Sequence, residues 1–209
     1  MTIKKLALAA LVATSAFSAF ADDDEKVNFA ELNMGTAMSA STGGNVKSAG
    51  TSYFPGLEVG TRVNEFFRAG LSFTYKPKFS VKYNTVPAGY VFNNAKMISY
   101  SVLANMYIDV GEFNKFKPYM VVGAGVAKNK TKNTSYTGTT TGSFAGSSKT
   151  NFAYRAGLGT QYVINEEFNI DVRYQYEDMG KFETASFKNT TYNGKLKANE
   201  FLLGVAYNF

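Results

Sequence analysis

The sequence predicts an all-β protein: an eight-stranded antiparallel transmembrane β-barrel with long extracellular loops and short periplasmic turns. Three observations predict it. Hydrophobicity alternates with a period of two in eight separate runs, the signature of strands with two unlike faces. The connections between the runs alternate long and short. No stretch of 18 or more apolar residues follows the N-terminal segment, so no helix is available to cross a membrane.

The chain opens MTIKKLALAALVATSAFSAFA. Lys4 and Lys5 form a basic start, Leu6 to Ala13 an apolar core, and Ala19-Phe20-Ala21 a small-x-small cleavage site, so residues 1–21 read as a secretory signal peptide. Its removal lowers the formal net charge from +6 to +4, because it carries two lysines and no acid. Residues 22–209 then form one barrel domain.

The first run sets Ala30, Leu32, Met34, Thr36 and Met38 against Glu31, Asn33, Gly35 and Ala37; the second sets Leu57, Val59 and Val63 against Glu58, Gly60 and Arg62. Asn64-Glu65 makes a hairpin-sized turn to the third run, Phe67, Ala69, Leu71, Phe73 and Tyr75 against Arg68, Gly70, Ser72 and Thr74. Residues 76–95, with Pro77, Pro87 and Gly89, read as a long loop. The fourth run places Tyr100, Val102 and Met106 against Ser101, Asn105 and Asp109, and the fifth places Met120, Val122 and Val126 against Gly123 and Gly125. A polar loop over 128–149 leads to the sixth run, Phe152 to Ile164, and Asn165-Glu166 turns into the seventh. There Phe168, Ile170, Val172, Tyr174 and Tyr176 oppose Asn169, Asp171, Arg173, Gln175 and Glu177. After a loop over 178–195, the last run alternates Phe201, Leu203, Val205, Tyr207 and Phe209 with Leu202, Gly204, Ala206 and Asn208.

Alternation alone does not say which face meets lipid. A soluble barrel of lipocalin type would put the apolar face inside. Two features favour the opposite sense. The polar face is rich in glycine, which weakens a water-exposed strand but makes room in a narrow lumen. Tyr75, Tyr162, Phe168, Tyr176, Tyr207 and Phe209 recur at the ends of apolar runs, where interfacial girdles lie. The lumen then receives Glu31, Glu58, Asp171, Glu177 and Glu200 with Arg62, Arg68, Arg155 and Arg173. In a barrel just wide enough for its own side chains these charges must pair, which predicts a plug; a pore lined by Arg and Glu is the alternative.

Chemistry is sparse. The chain has no cysteine and no histidine, which removes the commonest nucleophile-base pairs and soft metal ligands. Glu177-Asp178 and Glu166-Glu167 are adjacent acids that point to opposite faces of a strand, so no enzyme activity, metal or cofactor is expected. The remaining signal is loop charge. Lys76, Lys78 and Lys82 lie in one presumed outer loop, and Lys128, Lys130, Lys132 and Lys149 in another that holds no acid. Tyr136 and Phe144 sit mid-loop as candidate anchors. Such a surface suits an acidic protein segment or polyanion outside the cell, or the phosphates of lipopolysaccharide, and no nucleic acid is expected.

The stretches KPYMVVGAGVAKNK (117–130), KTNFAYRAGLGTQY (149–162) and VRYQYEDMGK (172–181) resemble the opacity-type eight-stranded outer-membrane proteins, most closely the rickettsial Adr surface adhesins. The resemblance implies a monomeric outer-membrane adhesin whose exposed loops bind host serum or matrix proteins such as vitronectin. It also implies that Phe209 is the signal read by the barrel-assembly machinery.

Overall fold

The structure, a computed structural model, describes residues 28–41, 44, 46–83, 86–93, 95–184, 187–188 and 190–209. The signal segment 1–21 and the acidic cluster after it lie outside the described residues.

The described strands are β1 (Asn28–Ser41), β2 (Val46–Ser48), β3 (Thr51–Arg62), β4 (Phe67–Ser80), β5 (Lys82–Tyr83), β6 (Tyr90–Asn93), β7 (Lys96–Asp109), β8 (Phe116–Thr131), β9 (Thr134–Gly138), β10 (Gly142–Phe144), β11 (Ser148–Val163), β12 (Phe168–Glu183) and β13 (Asn193–Asn208). Eight of them close an antiparallel barrel in the order β1-β13-β12-β11-β8-β7-β4-β3. Closure is completed at the termini of the ladder, where Asn28 and Phe209 exchange backbone hydrogen bonds of 2.9 Å in both directions. A closed ladder leaves no edge whose unpaired amides lipid would have to accept.

Local chemistry sets the short turns. In the β3–β4 turn the Asn64 side chain accepts from the amides of Phe66 and Phe67, both at 2.9 Å. In the β11–β12 turn Asn165 accepts from Glu167 at 3.1 Å and Phe168 at 2.7 Å. An asparagine side chain that mimics a backbone turn explains why Asn-Glu recurs at both places.

The apolar face points outward. Leu32, Met34, Phe152, Leu158, Leu203 and Val205 are all more than half exposed, whereas Glu31, Glu58, Arg155, Asp171, Arg173, Glu177 and Glu200 are buried. Two girdles bound the apolar band. Phe116 packs on Tyr162 at 5.2 Å and Phe168 on Tyr207 at 5.1 Å near the short turns. At the other border Tyr75 stacks on Tyr100 at 4.9 Å. Glycine makes room in the lumen as argued: a Cβ on Gly159 would overlap the Tyr119 ring, and one on Gly35 would overlap the Phe54 ring.

The strands run farther than hydrophobic alternation indicates. Barrel strands reach 16 residues, beyond the roughly 9–11 that a tilted strand needs to cross a bilayer core. The expected loop starts at residues 76, 128 and 178 are therefore corrected: β4, β8 and β12 continue to Ser80, Thr131 and Glu183. Above the membrane the hydrogen-bonded ladder persists while the hydrophobic face that reveals it ends.

Candidate functional site

Two regions carry the ionisable groups. The first is the lumen. Glu31 and Glu58 lie directly opposite each other on β1 and β3, an arrangement that like charges destabilise. Arg173 reaches across the barrel from β12 to both, at 3.2 Å each, and lies 3.4 Å from Asp171. Tyr119 donates its hydroxyl to Asp171 at 2.6 Å and accepts from Arg173 Nε at 2.9 Å, while Tyr107 donates to Glu58. The Arg173 guanidinium also lies 5.2 Å from the Tyr107 ring centre. One cation, two neighbouring phenols and three carboxylates thus form one buried layer.

Below it, Arg68 grips Asp109 in a forked pair, with Nε at 2.9 Å and an NH2 group at 2.7 Å, and Arg62 joins at 3.3 Å. Above it, Arg155 pairs with Glu177 at 3.0 Å, and Gln175 donates to Glu200 at 2.8 Å. The structure therefore brings every one of the sequence-derived lumen charges into contact with a partner.

Lys76 corrects the sequence reading. It is not a loop residue: its side chain is fully buried, bonded to Glu177 at 3.1 Å and Glu200 at 3.0 Å, with the ammonium 4.9 Å from the Phe54 ring centre. Parity foretells this, because Lys76 continues the inward series Arg68, Gly70, Ser72 and Thr74. Pro77 hides the signal. It reads as a strand breaker, but it lies within the register shift between Lys76 and Phe79, where the regular ladder is interrupted. The sequence reading also passed over Asp109, Tyr107 and Tyr119 as members of the network.

The second region is the long-loop end. Here β6, β9 and β10 form a small antiparallel sheet, and β2 pairs with β5. Phe144, Phe187 and Tyr192 are buried together, with Tyr83, Tyr90, Phe92 and Tyr136 packed against them. Phe187 lies 4.6 Å from Tyr136, 5.3 Å from Phe144, 5.4 Å from Phe92 and 5.6 Å from Tyr90. Burial pushes the Tyr83 phenol above its ordinary pKa. Phe144 is thus no free anchor but part of the core of a folded cap, and Tyr136 is half-buried in it. Aromatic residues spread over three loops find one another because none can bury its ring alone.

The lysines divide by place. Lys78, Lys82 and Lys132 are exposed at this end, as are Lys47 and Lys188, whose ammonium lies 4.2 Å from the Tyr90 ring centre. Lys149 is also corrected: it lies on β11 rather than in a loop, and its ammonium pairs with Glu183 at 3.0 Å. Lys128 and Lys130 lie on β8, on the outward face that carries Met120, Val122 and Val126 below them, so their assignment to a loop is corrected.

The profile of the outer membrane protein beta-barrel domain family matches residues 6–209. The chain belongs to that family. Outer membrane protein PagN of Salmonella typhimurium is 35% identical over 127 residues, which cover 57% of this chain and 52% of PagN. A Rickettsia conorii protein named "Putative adhesin" is 31% identical over 153 residues, 70% of this chain and 59% of that one. A Rickettsia bellii protein of the same name is 27% identical over 203 residues, with 89% and 88% covered. The chain spans between half and three fifths of the length of the first two. Among solved structures, the outer membrane protein OprG from Pseudomonas aeruginosa aligns with a TM-score of 0.61 at 15% identity, over 88% of this chain and 95% of OprG. Neisserial surface protein A aligns at 0.57 with 18% identity, over 88% and 97%. These two likenesses concern the fold alone. The family member described here is a bacterial outer-membrane barrel with relatives named as adhesins.

Proposed function

We propose that this barrel is a surface adhesin that holds an acidic segment of a host extracellular protein, vitronectin among the candidates, against its folded cap. In this reading the long-loop end faces outside, the chain termini face the periplasm, residues 1–21 direct export, and Phe209 is the signal read by the assembly machinery. The barrel acts as a monomer. The observation that carries the reading is the cap itself. Three loops share one aromatic core; Lys82 and Lys188 are exposed on two of them and Lys78 is exposed at the adjoining end of β4, all without a carboxylate partner among the described residues. A rigid base lowers the ordering cost of binding, and unpaired lysines steer an acidic partner. The names of the rickettsial relatives support the same reading.

The test is binding of the refolded barrel to immobilised vitronectin and to heparin across a salt series. Lys78→Glu, Lys82→Glu and Lys188→Glu together are expected to weaken binding at least tenfold at low salt and to flatten its salt dependence. Unchanged binding would overturn the assignment.

The channel alternative meets a specific obstacle: Arg173, Tyr107, Tyr119 and Lys76 fill the lumen as fully buried side chains. No steady conductance is expected in planar bilayers; a steady current altered by Arg155→Ala or Glu58→Ala would show that the plug opens.

A further inference from the structure

The outer wall of the barrel above the aromatic girdle is not electrically uniform. On the β12–β13 side, Lys197 pairs with Asp178 at 3.3 Å, so a lysine meets an acid of the same protein. On the β7–β8–β11 side the outward residues toward the long-loop end are Lys96, Lys128, Lys130, Thr150 and Ser148, with Lys132 following. This side has no acid to offer. The chain contains no aspartate or glutamate from residue 66 to 108 and none from 113 to 165.

Register fixes the local arrangement. Lys128 lies between Tyr100 on β7 and Thr150 on β11, and Lys130 lies between Ile98 and Ser148. Successive outward residues of a strand are about 6.6 Å apart, so two ammonium groups rise one above the other. Immediately below them the wall turns apolar: Tyr100 is stacked on Tyr75, and Val126 and Phe152 are more than half exposed. Beside Lys130 a groove of about 540 Å³ is lined by Ile98, Lys130, Lys132, Asn133, Ser147 and Ser148.

We infer that this wall binds a phosphorylated glycolipid of the outer leaflet, with the phosphates on Lys128, Lys130 and Lys132 and the sugar in the groove. The acyl chains lie against Val126 and Phe152. Several unpaired lysines on one wall require more than a single negative charge, and a zwitterionic phospholipid would bring its own ammonium against them. Asn133, Ser147, Ser148 and Thr150 supply hydrogen-bonding groups for sugar hydroxyls, which a simple anionic lipid would leave idle. The inference takes these lysines from the host-binding surface and gives them to the membrane. It rests on the long-loop end facing outside and is independent of the adhesin reading.

The experiment titrates bisphosphorylated lipid A into the detergent-refolded barrel and reads bound lipid by native mass spectrometry. Wild type is expected to retain it, and the triple variant Lys128→Gln, Lys130→Gln, Lys132→Gln to lose affinity on the order of a hundredfold. Lys181→Gln with Lys195→Gln, on the adjoining β12–β13 side, is expected to bind as wild type does. Dephosphorylated lipid A should bind weakly to all three. Heat-dependent gel mobility confirms folding, and Lys130→Glu alone serves as a second variant expected to weaken binding. Equal affinity in the triple variant, or an equal loss in the β12–β13 variant, would overturn the site. Inorganic pyrophosphate that binds as tightly and depends on the same lysines would overturn the lipid as its occupant. Vitronectin binding, measured in the same preparations, should not change in the triple variant, so failure of either reading is separately visible.

Discussion

Replacing Arg173 with methionine is expected to destabilise the barrel by about 3–5 kcal/mol, the range for breaking a buried ion pair from one side. Arg173 is the counter-charge for Glu31, Glu58 and Asp171 at once, and its side chain is fully buried. Its removal leaves two carboxylates face to face across β1 and β3 and a third nearby, with no other cation among the described residues paired to Glu31. The measurement is the denaturant midpoint in micelles, followed by the gel-mobility shift between folded and unfolded barrel. Adding Glu31→Gln and Glu58→Gln to Arg173→Met should recover part of the loss, because the cost is that of stranded charge rather than lost volume. If Arg173→Met shifts stability by less than about 1 kcal/mol, the network is not what holds the lumen together. Tyr119→Phe, which keeps the ring but removes the hydroxyl from Asp171, should cost only about 1–2 kcal/mol.

The second large effect is expected in the cap and not in the barrel. Phe187 touches four other rings, and Phe187→Ala removes the centre of the cluster, a change that costs about 3–5 kcal/mol in a well-packed core. The rings of that cluster lie outside the eight barrel strands, with Tyr83 alone packed on both the cap and the barrel core among the described residues, so the loss should appear mainly as local opening. Trypsin should cut at Lys82, Lys132 or Lys188 within minutes in the variant while wild type resists, and the barrel's heat-dependent mobility should stay as in wild type. Vitronectin binding should fall with it, since the cap lysines are no longer held in one arrangement. A variant as protease-resistant as wild type would show that the loops are held by something other than the aromatic core.

By itself the sequence determined the architecture. Period-two alternation named eight strands and their two faces, because in lipid every outward residue must be apolar and every inward one must fit a narrow lumen. It also named the inward charges from Glu31 to Glu200, since parity is a local property of the chain. Tertiary structure alone decided three things. It decided which charges meet: Arg173 is 142 positions from Glu31, and only closure and shear place them at one height. It decided that Lys76 belongs to the lumen, because whether a strand continues past Pro77 depends on the neighbouring strand and not on the proline. And it decided that the polar loops fold into a cap. Outside the bilayer no solvent imposes a hydrophobic face, so single aromatic residues in three separate loops show no period, and their common core exists only when the barrel brings the loops together.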